Sequence, residues 1–117
     1  MADFNKSQGT WGRDANVSGA CKAWVNFNGT GTVAINDSYN VSTVADEGTG
    51  DYTVNFATDM ANDDYASAGM CNTYGYSPKV VERERAVGSI RVMVGPYSGS
   101  FVDASSVGVI VMGELSS

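Results

Sequence analysis

Apolar and polar residues alternate with a period of two through most of this chain. In "KAWVNFN", Ala23, Val25 and Phe27 fall on one face and Lys22, Trp24 and Asn26 on the other. "TVAIN" follows with Val33 and Ile35 on one side, and "SYNVSTVA" continues the pattern with Tyr39 and Val41. The cleanest case is "GDYTVNF", which turns Tyr52, Val54 and Phe56 inward and Asp51, Thr53 and Asn55 outward. "SIRVMVG" groups Ile90, Val92 and Val94, and "DYASAGMCN" carries the pattern more faintly. This periodicity marks half-buried antiparallel strands. "VGVIVMG" differs: Val107, Val109 and Val111 line one face and Ile110 and Met112 the other. A strand apolar on both faces sits centrally in its sheet or faces another subunit. Between these segments lie a polar loop at 57–64, the tyrosine-rich "NTYGYSPK" and the charged "ERER". About seven short strands with turn signals at regular spacing predict an all-β fold, a small antiparallel β-sandwich over residues 21–117. Residues 1–20 are polar, with Trp11 as a large apolar anchor, and read as an N-terminal arm.

Composition agrees. Fifteen valines stand against three isoleucines and one leucine, and valine loses rotamer freedom in a helix but packs well on a pleated surface. Fourteen glycines among many Asn, Ser and Thr supply the turns. A length of 117 residues makes one domain, burying roughly two-thirds of the surface its unfolded chain exposes. The net charge of −6 leaves no basic footprint for nucleic acid. No apolar run approaches a membrane span, so no membrane insertion is expected, and "MADFNKSQGTW" lacks the apolar centre of a secretion leader. The chain contains no histidine, which removes the commonest general base and the commonest zinc ligand. Cys21 and Cys71, fifty residues apart, make no zinc site. They form a disulfide or, as expected of a leaderless chain, remain two buried thiols.

The stretch "NFNGTGTVAI" satisfies the dinucleotide-binding pattern G-x-G-x-x-G/A through Gly29, Gly31 and Ala34, with Asp51 about twenty positions on. In a dinucleotide fold those glycines open a helix. Here they lead into β-branched "TVAIN", so "NGTG" reads as hairpin chemistry, and "EGTG" at 47–50 repeats the device. No cofactor is expected. "DANVSG", residues 14–19, matches the first half of a calcium loop, but Val25 stands where the bidentate glutamate belongs. Asp59, Asp63 and Asp64 read as a solvated loop. Asp46, Glu47, Asp51, Glu82, Glu84 and Glu114 sit in turns or near strand ends, with little room for the cleft that paired catalytic carboxylates need. No catalytic residue is assigned.

"VVERERAV", if regularly extended, puts Glu82 and Glu84 on one face and Arg83 and Arg85 on the other. It is either an edge strand blunted by charge or an intersubunit ion-pair seam. Tyr74, Tyr76 and Tyr97 lie in loops beside Gly, Asn and Ser. Such aromatics either cover core edges or present a contact surface to carbohydrate or protein. Five Asn-x-Ser/Thr sequences, at Asn5, Asn16, Asn28, Asn36 and Asn40, follow from a composition rich in those residues.

The block from Cys21 to Ala66, with "KAWVNFNGTGTVAI", "SYNVSTVADEGTGDYTVNF" and a following "M…YA", resembles a family recurrent in tailed bacteriophages, especially those of cyanobacteria and marine bacteria. "SIRVMV" and the closing "VGVIVMG" resemble that family's C-terminal strands, so the resemblance spans most of residues 21–113. It implies a non-enzymatic virion protein, assembled in the host cytoplasm, of the tail-fibre kind, which is commonly trimeric. The implied partners are other copies of the chain, other virion proteins, and a host-surface glycan or protein. Such blocks usually end a longer fibre, and here little precedes the block, so the chain is either a fragment of such a fibre or a module that stands alone. A stand-alone module is also compatible with capsid decoration, the arm lying across neighbouring capsid chains. Tyr74, Tyr76 and Tyr97 are the expected outward contacts. Trp24, Ile110 and Met112, with Arg83 and Arg85, are the expected subunit contacts. A small glycan-cleaving or metal-dependent enzyme is the contrasting expectation.

Overall fold

The computed structural model describes residues 20–72, 79–95 and 101–116. Among these residues there are eight strands and no helix: β1 (Cys21–Asn28), β2 (Ala34–Tyr39), β3 (Val41–Gly48), β4 (Asp51–Phe56), β5 (Ala66–Cys71), β6 (Lys79–Ala86), β7 (Ser89–Gly95) and β8 (Val107–Met112). They form two four-stranded antiparallel sheets, ordered β2-β1-β8-β5 and β3-β4-β7-β6. The expected small β-sandwich is therefore the observed fold.

Most of the core is made by the inward positions read from the alternation, joined by Met60, Tyr65, Ala104 and Leu115 from the connecting segments. Ala23, Val25 and Phe27 of β1 and Val107, Val109 and Val111 of β8 meet Tyr52, Val54 and Phe56 of β4 and Ile90, Val92 and Val94 of β7. Phe27 and Tyr52 pack edge to face with centroids 5.0 Å apart, a geometry that adds about 0.5–1.5 kcal/mol beyond area burial. Phe56 and Tyr65 form a second such pair at 5.9 Å. The strand β8 occupies the centre of its sheet, between β1 and β5.

Both glycine turns are hairpin connections, β1 to β2 and β3 to β4, and the same residues tie them together. The Tyr52 hydroxyl donates to the Gly29 carbonyl and the Asp103 carboxylate, each at 2.9 Å, and that carboxylate accepts the Gly50 N–H at 2.9 Å. A Cβ at Gly29 would lie 2.3 Å from the Tyr52 hydroxyl. At Gly50 (φ 64°) it would lie 2.6 Å from the Val94 carbonyl oxygen. Close approach at one turn, with a left-handed backbone at the other, explains why each needs glycine. The dinucleotide pattern is thus met by a turn between antiparallel strands, and Asp51 is held by Arg91.

Three local readings are corrected. Lys22, read on the outward face with Trp24 and Asn26, is buried beside a ladder irregularity between Cys21 and Ala23, where its ammonium donates to the Ala20 carbonyl at 2.9 Å. "SYNVSTVA" is not one strand: Asn40, at φ 56°, breaks it into β2 and β3, which belong to different sheets. Asparagine tolerates the left-handed region, and this one fastens the corner. Its amide donates to the Lys22 and Thr58 carbonyls at 3.1 Å and its Oδ1 accepts the Thr58 N–H at 2.7 Å. The charged strand β6 is also not regular. A bulge between Glu82 and Glu84 absorbs Arg83 and resets the phase, so Glu82 and Arg85 share one side.

Candidate functional site

On the outer face of the β2-β1-β8-β5 sheet the ladder aligns one rung across all four strands. Tyr39 lies opposite Trp24, Trp24 opposite Ile110, and Ile110 opposite Ala68. Two outward rungs flank it: Cys21, Met112 and Ala66 on one side, and Asp37, Asn26, Gly108 and Met70 on the other. Because the inward valines of β8 fix its phase, Ile110 and Met112 must point out. Ile110 is 47% exposed, Tyr39 46% and Met70 78%. A shallow apolar groove runs along Ala68, Met70, Gly108 and Ile110. Gly108 forms its floor because a glycine lacks the side chain that would fill it. Of the residues expected at a subunit contact, Trp24, Ile110 and Met112 are therefore brought onto one surface. Tyr39, Ala68 and Met70 join them without having been singled out. They lie on the edge strands β2 and β5, where the alternation is faint.

Arg83 and Arg85 lie on the other sheet and do not meet that surface. Arg85 packs over the Tyr65 ring at 4.6 Å, donates through Nη1 to the Asp63 and Tyr65 carbonyls, and forms a bidentate pair with Glu82. Its donors are occupied by partners within the chain. Arg83 is half exposed, 4.0 Å from Asp51 and 3.2 Å from the Met93 sulfur. The strand they share is an edge, as the charge pattern suggested.

The outer face of the β3-β4-β7-β6 sheet is mainly polar and bonded to itself, with the exposed Val81 and the buried Met93 paired on it as apolar positions. Arg91 grips Asp51 through two hydrogen bonds of 2.8 and 2.9 Å, Thr53 donates to Glu47 at 2.7 Å, and Asn55 donates to Thr43 at 3.0 Å. The Arg91 fork holds the Asp51 carboxyl below its ordinary value, and Arg85 does the same for Glu82, against the opposing effect of burial. Both carboxylates are kept ionised. A general acid of a glycoside hydrolase needs the opposite shift.

Tyr74, Tyr76 and Tyr97 lie outside the described residues, as does the "DANVSG" stretch. The described residues that flank the tyrosine segments, Asn72, Lys79, Gly95 and Phe101, share one end of the sandwich with the two glycine turns: Gly95 pairs with Lys79, and Val102 donates to Val94. Ala20 and Ser116 lie at the opposite end, where Ser116 donates to the Asp59 carbonyl and Met60 bridges Leu115. Asp59, Asp63 and Asp64 are exposed there. Cys21 and Cys71 are half-buried free thiols rather than fully buried ones. They sit opposite Met112 and Val107, at the two ends of β8. That span, roughly 17 Å at the rise of a strand, exceeds the reach of a disulfide.

No family model matches this chain, and comparison with curated proteins and with solved structures likewise returned no match.

Proposed function

We propose that this chain is a non-enzymatic structural module of a bacteriophage particle: a trimeric β-sandwich knob of the tail-fibre kind that contacts a host surface or neighbouring virion subunits. The observation that carries the reading is the outward apolar rung Tyr39–Trp24–Ile110–Ala68. Contiguous exposed apolar surface on a small domain marks a site of association, and chemistry of catalysis is not what these side chains offer. The resemblance of residues 21–66 to a phage virion family supplies the particle. Polarity of the molecule fits the role, because the chain enters and leaves at one end while the tyrosine segments spring from the other.

Size-exclusion chromatography with light scattering tests the assembly. A trimer at micromolar concentration is expected, and a stable monomer would overturn it. Imaging of particles carrying the labelled protein tests the location. Label at the fibre tip supports the knob; label over the head shifts the function to capsid decoration.

A further inference from the structure

The apolar rung raises the question of what sits on it. Four strands spaced about 4.8 Å apart and six residues long at about 3.4 Å each present a face of roughly 400 Å². A stable complex buries about 800 Å² per partner. Face-to-face packing of this surface alone therefore falls short, and a second element has to add area.

Residues 1–19, which lie outside the described residues, are the available segment. They join the sandwich at Ala20, next to the rung Cys21–Met112–Ala66, which borders the apolar face. From that rung β1 runs into the sheet. Nineteen residues reach up to about 60 Å when extended, several times the width of the face. Their charges cancel, with Asp3 and Asp14 against Lys6 and Arg13, so the whole −6 resides in the remaining chain. Arg13, two positions from Trp11, is complementary to Asp37 on the rim of the face. Trp11 brings the largest single apolar area available.

We infer that residues 1–19 of one copy lie across the β2-β1-β8-β5 face of the next, with Trp11 against the Trp24–Ile110 rung. Each copy then gives one arm and receives one, a heterologous contact that closes into a ring. This rests on the trimeric reading above and names the residues that make the trimer.

Two full-length variants test it. Trp11→Asp is expected to convert the trimer to monomer at concentrations where the parent is fully assembled, with far-UV circular dichroism unchanged. Trp11→Ala is expected to raise the concentration of half-dissociation about 30-fold, as for truncation of a central aromatic anchor. In a Cys21→Ser, Cys71→Ser background, Trp11→Cys paired with Ile110→Cys is expected to give covalent multimers on a non-reducing gel. A trimer that survives Trp11→Asp, a crosslink confined to single chains, or no crosslink overturns the arm exchange and leaves the trimeric reading standing. A parent chain that is monomeric throughout overturns both.

Discussion

The two outer faces of the sandwich are built from the same alternating strands and finished in opposite ways. On the β3-β4-β7-β6 face the outward positions carry Thr43, Thr53, Asn55, Asp51 and Arg91, and each has found a partner on the same face. On the β2-β1-β8-β5 face the corresponding positions carry Tyr39, Trp24, Ile110, Ala68 and Met70. Hydrogen-bonding groups on a sheet can satisfy one another laterally, so the polar positions of the first face are complete as they stand, and Val81 is its exposed apolar exception. Apolar side chains gain only by leaving water, and lateral contact between neighbouring strands leaves their outer surface wet. The difference between the faces is therefore one between polar surface bonded within the chain and apolar surface left exposed.

Breaking the apolar face has the largest expected effect, on assembly rather than folding. Ile110→Glu puts a charge at the centre of the rung. Self-association measured by light scattering should weaken about 100-fold or more, while the urea midpoint moves little, since exposed substitutions cost within about 0.5 kcal/mol. Equal loss of stability and assembly would show that this face is part of the fold rather than a contact.

On the polar face the order reverses. Arg91→Met leaves the Asp51 carboxylate, only 8% exposed, without its bidentate partner. Stranding a buried charge is destabilising, so the urea midpoint should fall clearly, while the proposed trimer should persist at native pH and low denaturant. An unchanged midpoint would mean that the fork contributes nothing net.

Acid sharpens the same contrast. Asp51 and Glu82 have folded-state pKa values below their unfolded ones. Their stabilisation is present above the ordinary carboxylate value and is lost as pH falls through the depressed folded values. Urea midpoints should therefore decline from roughly pH 4 downward, and the decline should be shallower in Arg91→Met, where the main cause that lowers the Asp51 value is removed. At the alkaline side Tyr52, raised by burial and by Asp103, holds its proton more tightly when folded. Its contribution is intact below the unfolded tyrosine value, about 10, and is lost as pH rises past it.

Much of this contrast is legible in the sequence. The inward sets of β1, β4, β7 and β8 follow directly from period-two alternation, and the two-sided apolarity of β8 announced Ile110 and Met112 as surface. What stayed hidden has physical causes. Tyr39 and Val41 have the same parity, and only the left-handed turn at Asn40 sends them to different sheets. The bulge at Arg83 reverses the phase of an alternating charge run, and charge carries no sign of where a ladder slips. Met60 and Leu115, both buried, are single apolar residues in polar surroundings. They have no period to betray them, and a bridge between distant segments buries them.

The smallest effect is the most discriminating control. Thr53→Val removes the hydroxyl that donates to Glu47 at 2.7 Å and keeps the β-branched shape. An exposed hydrogen bond of this kind contributes about 0.5 kcal/mol or less after water is accounted for, and valine recovers part of it through strand propensity. Folding stability should stay within that margin. The substitution also adds an apolar methyl to the polar face, so it asks whether apolarity alone recruits a second chain. If the proposed trimer keeps the same size and concentration dependence in Thr53→Val as in the parent, association depends on the aligned rung of Trp24 and Ile110. If higher oligomers form instead, scattered apolar groups suffice and the alignment loses its significance.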